Sequence, residues 1–235
     1  MRTILMLGWW ALTTPVVAVL TLPYALLTGN SNFLYRLSMW VVLIGLKLGN
    51  VRFEIIGRDQ LDPAQTYIFM SNHVSNLDPP LLMPQVPNRT SVLVKKELFR
   101  TPILGFAMRV AHLVAVDRSN RDAAVASVRE AAQVMRSGLN MMIFPEGTRS
   151  RDGRLLPFKK GPFYLAIESG FPIVPVTLVG TDEIWPKGKL LMQNHKAKAQ
   201  LVFHTPIWPN DYDDRDALIA AVRDAIASAL PEDRR

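Results

Sequence analysis

Tyr67-Ile68-Phe69-Met70-Ser71-Asn72-His73-Val74-Ser75-Asn76-Leu77-Asp78-Pro79 decides how this chain is read. An apolar run, Tyr67 to Met70, has the look of a strand. It feeds directly into a polar stretch in which His73 stands five positions ahead of Asp78. Asp78-Pro79 then looks like an N-cap with proline at the first helical position. A strand that hands polar residues to a sheet edge, with a helix behind them, is the α/β arrangement in which sites form. A neutral imidazole takes protons near neutral pH, and a carboxylate that curls back on it fixes its tautomer. The plainer reading of the same spacing is a loop histidine beside a helix-capping aspartate.

Outward from this stretch, short apolar runs alternate with amphipathic ones. Strands are predicted over Val51–Ile56, Thr66–Met70, Ser91–Val94, Leu113–Val116, Met141–Phe144, Ile173–Val179 and Ala199–His204. Between them, Asn120 to Ser137 repeats Ala124, Val125, Val128, Ala131, Ala132 and Met135 on one helical face, with Gly138 as the stop. Gly161–Ser169 reads as a helix ended by Gly170, and Asp214–Leu230 closes the chain as an alanine-rich helix. The order implies an α/β fold, a mostly parallel sheet flanked by helices. No internal repeat or low-complexity tract interrupts it.

A second polar cluster, Phe144-Pro145-Glu146-Gly147-Thr148-Arg149-Ser150, again follows an apolar run. Gly147 allows close backbone approach to a ligand, and exposed N–H groups, the Thr148 hydroxyl and the Arg149 fork suit phosphate oxygens. Glu146 is placed to accept hydrogen bonds from a polyol. A solvated turn after a strand is the alternative. Lys159-Lys160-Gly161 open a predicted helix, a natural anion position, or else form a solvated basic turn. Trp185-Pro186-Lys187-Gly188-Lys189 reads as a surface loop touching lipid headgroups, and His112, His195 and His204 as ordinary structural histidines. The sequence shows no clustered ligand set for a metal.

The chain has 235 residues and no cysteine, which excludes disulfides, thiolate catalysis and zinc–thiolate sites. Its net charge is +7; residues 1–50 carry only Arg2, Arg36 and Lys47 as charged side chains, and the remaining 24 Lys and Arg lie beyond them. A basic body beside an apolar segment suits an anionic membrane surface, and no interleaved basic and aromatic stripe supports nucleic acid. Ile4 to Leu27 is uncharged and long enough to cross a bilayer, although Pro15 and Pro23 predict a kink or a break. After the turn-like Thr28–Asn32, the shorter run Phe33 to Leu48 suits a helix lying shallowly or half-inserted, with Arg36 and Lys47 reaching to the headgroups. A two-helix membrane-associated hairpin over residues 1–50 and an α/β domain over residues 51–235 are therefore expected. A cleaved signal peptide and a packed soluble hairpin compete for the first segment. The flanking cations favour the cytoplasmic face of the inner (plasma) membrane.

The combination of Asn72-His73-Val74-Ser75-Asn76-Leu77-Asp78-Pro79 and Phe144-Pro145-Glu146-Gly147-Thr148-Arg149-Ser150 resembles the glycerolipid acyltransferase family, and within it the 1-acyl-sn-glycerol-3-phosphate acyltransferases. Val116-Asp117-Arg118 and Ile173-Val174-Pro175-Val176 resemble two further blocks of that family, and the likeness covers most of residues 51–205. Ala111-His112 stands where the family often has glycine. The resemblance implies that His73 and Asp78 are catalytic, and that Arg118, Glu146, Gly147, Thr148, Arg149 and Lys159 bind substrate. It implies acyl transfer from an acyl thioester, acyl-CoA or acyl-carrier protein, to the sn-2 hydroxyl of lysophosphatidic acid, forming phosphatidic acid without a cofactor. Membrane lipids are the implied surroundings. Another lysolipid or glycerol 3-phosphate as acceptor, a hydrolase, and an idle lipid-binding protein are the alternatives.

Overall fold

The computed structural model describes residues 1–116 and 121–235, with the side chains of all of these except residues 102–104 and 121–124. Two helices come first, α1 (Arg2–Thr28) and α2 (Asn32–Leu48). Then follow β1 (Arg52–Ile56), β2 (Ile68–Ser71), α3 (Asp78–Leu82), β3 (Thr90–Lys95), α4 (Pro102–Val110), β4 (Val114–Val116) and α5 (Arg121–Arg136). The chain continues through β5 (Asn140–Ile143), α6 (Gly161–Ser169), β6 (Ile173–Val179), α7 (Thr181–Ile184), β7 (Lys198–Phe203) and α8 (Arg215–Ser228). The seven strands form one sheet in the order β1-β7-β6-β2-β5-β3-β4, parallel at every pairing except β6 with β7.

β2 lies in the middle of this sheet, and all four of its residues are buried. That explains its unbroken apolar run: a parallel strand covered on both faces has no solvent side to alternate with. Phe69 faces Val174 and Val176 on one layer, with Leu81 and Leu82 of α3 and Met6 and Leu46 of the N-terminal helices. Ile68 and Met70 face the other, with Met135 of α5, Phe163 of α6 and Leu218, Val222 and Ile226 of α8. Asp214 caps α8, its Oδ1 accepting from the Ala217 N–H at 2.7 Å.

β2 and β5 run in parallel register, Met70 beside Ile143, so the loops that follow them leave the same sheet edge. This register brings the two polar clusters together. It is also the edge at which α/β sheets build their clefts.

The expected strands and helices are present with ends displaced by one or two residues, the last strand being Lys198–Phe203 and the first buried one Ile68–Ser71. The start expected for α5 at Asn120 lies outside the described residues. α4 was not anticipated. Two expectations are corrected. Asp78 is not an N-cap: the cap position is Leu77, and the Asp78 carboxylate turns back into the preceding loop. Neither Pro15 nor Pro23 ends α1, which is one helix through both. Three of its hydroxyls bond within the helix, Thr13 donating to the Trp9 carbonyl at 2.6 Å, Thr21 to that of Val17 at 2.7 Å and Thr28 to that of Tyr24 at 2.8 Å.

The hairpin is tied to the body along its length. Met6 and Leu46 belong to the same buried cluster as the sheet. The Met192 N–H donates to Thr3 Oγ1 at 3.1 Å near the start of α1. At the turn, Arg89 donates to Ser31 Oγ at 2.7 Å and to Asn32 Oδ1 at 3.1 Å. The outer face is apolar and exposed, with Leu12, Val16, Val19, Leu20 and Leu27 all more than half accessible.

Candidate active site

The loop after β2 is wound around one carboxylate. Asp78 is fully buried, and its Oδ2 accepts from the N–H groups of Val74 and Ser75, each at 2.7 Å. The same oxygen lies 2.7 Å from His73 Nδ1. Oδ1 accepts from the Thr181 hydroxyl at 2.6 Å. Such a carboxylate is the preferred acceptor of the Nδ1 proton, which leaves Nε2 as the basic nitrogen. The His73 side chain is 17% accessible, and its ring stacks on Phe144 with centroids 4.0 Å apart and planes 19° from parallel. Ring stacking and the Asp78 bond together fix the imidazole's position and its rotation.

The Phe144–Ser150 loop is clipped onto this structure by backbone bonds. The His73 N–H donates to Glu146 Oε1 at 2.7 Å, and the Leu156 N–H to Oε2 at 3.0 Å. The Ser150 N–H donates to the His73 carbonyl at 2.7 Å. Gly147 has φ of 73°, the left-handed region that a side chain resists, and its N–H donates to the Phe144 carbonyl at 3.0 Å. Glu146 is itself 1% accessible. Burial pushes its carboxyl up to about 7; the two backbone donors and Arg223 oppose that, and Asp78 adds to it.

Arg149 Nη1 donates to Asn76 Oδ1, on the same loop as His73, so the guanidinium is brought to the imidazole's side of the sheet edge. Thr148 is exposed beside it. Lys159 is exposed too, and its N–H donates to the Pro145 carbonyl at 2.8 Å, which holds the next turn against the same loop. Arg118 lies outside the described residues. Asn72 bridges β2 to β6, donating to the Leu178 carbonyl at 2.9 Å and accepting from its N–H at 2.8 Å. Where the resemblance led one to expect glycine, His112 takes φ of 60°.

Three contributors escaped the sequence reading. Thr181 touches Asp78 from a distant helix. Ser75 donates to the Trp185 carbonyl at 2.7 Å, and Lys187 donates to the Arg149 carbonyl, so the 185–189 loop lies on the site rather than apart from it. The flanking Trp-Pro and Lys-Gly-Lys pattern carried a faint signal, but nothing in it named the partner.

The described residues therefore place an imidazole, the carboxylate bonded to it and a guanidinium on one edge. The Acyltransferase family model matches residues 52–179 of the chain. The chain belongs to that family. It is 39% identical over 171 residues to a 1-acyl-sn-glycerol-3-phosphate acyltransferase of Limnanthes douglasii, covering 72% of this chain and 60% of that protein. It is 35% identical over 223 residues to a protein of the same name from Limnanthes alba, covering 94% and 77%. With the human alpha form it shares 29% over 217 residues, 92% and 77%. The fold of this acyltransferase-family chain matches the crystal structure of the 1-acyl-sn-glycerophosphate (LPA) acyltransferase PlsC from Thermotoga maritima at TM-score 0.80, with 24% identity over 99% of this chain and all of that one.

The Glu146 shift has a measurable consequence. Between pH 4.5 and about 7 the folded protein keeps a proton on Glu146 that the unfolded chain has released. Protons bound in excess by the folded state make stability fall as pH rises through that window, by up to ~3 kcal/mol. In Glu146→Gln this part of the slope is expected to vanish when thermal unfolding in detergent is followed from pH 4.5 to 7.5. Parallel slopes in the two proteins would contradict it.

Proposed function

We propose that this acyltransferase-family protein transfers a fatty acyl group from an acyl thioester to the sn-2 hydroxyl of lysophosphatidic acid, giving phosphatidic acid. The observation that carries the reading is the buried Asp78 carboxylate 2.7 Å from His73 Nδ1, with Arg149 tied to Asn76 on the same loop. His73 Nε2 takes the proton of the acceptor hydroxyl. The oxygen attacks the thioester carbonyl, the tetrahedral centre collapses with cleavage of the carbon–sulfur bond, and the departing thiolate takes the proton back from the imidazolium. Asp78 stabilises the imidazolium while it exists. No acyl-enzyme is required, since the base activates the acceptor itself. Holding base, acceptor and donor in line supplies a large part of the rate, of order ~7–11 kcal/mol for well-oriented reactants.

Arg149, assisted by Thr148, binds the acceptor phosphate, with Gly147 leaving room for its close approach; Arg118 and Lys159 are assigned to the same anion. Glu146 serves as a positioning residue, because both its oxygens already accept backbone N–H groups and hold the two loops together. Acyl-CoA and acyl-carrier protein both present the required thioester.

Residues 1–50 act as the membrane element and residues 51–235 as the acyltransferase body. The bonds from Thr3 and from Ser31 and Asn32 to the body support a hairpin lying in the membrane interface rather than crossing it, since a spanning helix must leave the body at one end. Arg2 at the start, with Lys47 and Arg52 beyond α2, supports the cytoplasmic face.

The functional reading is tested by radiolabelled acyl transfer over a panel of acceptors that includes glycerol 3-phosphate and lyso-aminolipids. Lysophosphatidic acid is expected to be preferred, and His73→Ala to lose about 10²–10⁴ of the rate, the usual contribution of a general base. Free fatty acid as the sole product, or a variant with near-normal turnover, would contradict the reading. The membrane assignment is tested with Leu12→Glu/Val19→Glu, which charges the exposed face of α1 and leaves the buried cluster untouched. That variant is expected to lose sedimentation with anionic vesicles at high salt. Undiminished sedimentation would place the anchor elsewhere.

A further inference from the structure

Lys187 is an unassigned cation on the edge that carries His73. It sits in the loop after α7, far from both motif loops in sequence, and three sets of bonds bring it there. Ser75 donates to the Trp185 carbonyl at 2.7 Å, and Ser75 and Pro186 form an isolated β-bridge. The Trp185 indole N–H donates to the Lys189 carbonyl at 2.8 Å, closing the loop on itself. Lys187 Nζ then donates to the Arg149 carbonyl and lies 3.5 Å from Thr148 Oγ1.

The loop therefore rests on Ser75, whose N–H also holds Asp78, and its ammonium rests on the Thr148-Arg149 backbone. Both partners of the ammonium are neutral oxygens. No carboxylate among the described residues pairs with Lys187 or with Arg149. An ammonium has three donors, and two neutral acceptors leave its charge uncompensated. Lys187 and Arg149 are thus two half-buried cations on one sheet edge with no carboxylate partner among the described residues, and an anion that reached both would offset two charges.

We infer that Lys187 is a specificity-determining residue that binds the phosphate monoester of the acceptor together with Arg149. The inference rests on the acceptor reading given above. Lysine suits this place as a compact charge that can add to a fork already supplied by arginine. The neighbouring Lys189 and Leu190 are exposed and point to a different use of the same loop, contact with the bilayer.

The test separates binding from turnover. In the full-length His73→Ala protein, held in detergent micelles, the Kd for lysophosphatidic acid is measured by calorimetry with and without Lys187→Met. The expected result is binding weaker by about tenfold on loss of the ammonium, largely restored by Lys187→Arg, and no comparable loss for monoacylglycerol, which lacks the phosphate. In the protein that retains His73, Lys187→Met is expected to raise KM for lysophosphatidic acid with little change in kcat. Unchanged affinity overturns the inference. An equal loss for both acceptors also overturns it, since that marks a prop for the loop. So does a variant that loses only vesicle sedimentation. If the protein that retains His73 transfers no acyl group while the affinity loss is seen, the proposed reaction fails and the phosphate contact stands.

Discussion

The Asp78 carboxylate is the constraint around which the site is built. Two backbone N–H groups, one threonine hydroxyl and one imidazole nitrogen converge on its two oxygens, all within 2.7 Å. A buried charge is tolerated only where such bonds replace its hydration. Here the replacing groups come from the loop itself and from α7, so compensating the charge also dictates the loop's path. The histidine is oriented as a by-product of satisfying the aspartate. Removing Thr181 or straightening the loop would leave a buried oxygen unpaired, a penalty of ~1–3 kcal/mol or more.

Glu146 performs the corresponding service between loops. Its two oxygens join the residue after Asn72 to the segment at Leu156, and Ser150 returns a bond to His73. The motif that resembles a headgroup grip is thus half structural: Glu146 and Ser150 build the loop, while Thr148 and Arg149 remain at its surface. Parallel pairing of β2 with β5 makes this possible, because both loops must leave the same edge. The 185–189 loop closes the third side through Ser75 and Arg149. Its far end reaches α1, where Met192 bonds Thr3. His73 and Arg149 are in this way connected by a short bonded path to the helix that carries the apolar outer face.

Much of this was legible in the residue order. Apolar runs such as Tyr67–Met70 and Met141–Phe144 can be strands only if both faces are covered, which predicts helices on either side and a mostly parallel sheet. The pairing of His73 with Asp78 was legible as local spacing. What escaped was set by contacts between distant residues. Thr181 and Trp185 lie more than a hundred positions from their partners Asp78 and Ser75, Lys187 is itself far from Arg149, and no local pattern marks a hydroxyl or an ammonium as belonging to a particular loop. Asp78 passed for a cap because Asp-Pro opens helices in general; four competing donors outbid the helix terminus. The burial of Glu146 and its two backbone donors, His73 and Leu156, have no sequence signature. The two prolines of α1 suggest a kink or a break, and the helix nonetheless runs on through both.

The claim on which the chemistry rests is that Asp78 holds the proton of His73 at Nδ1 and leaves Nε2 free to act as a base. Nitrogen-15 spectra of the protein labelled at histidine report this directly, and with four histidines in the chain the His73 signals can be assigned by comparison with His73→Gln. At a pH where the ring is neutral, a protonated Nδ1 and a bare Nε2 are predicted, with that preference lost in Asp78→Asn. A proton found on Nε2 instead would contradict the account.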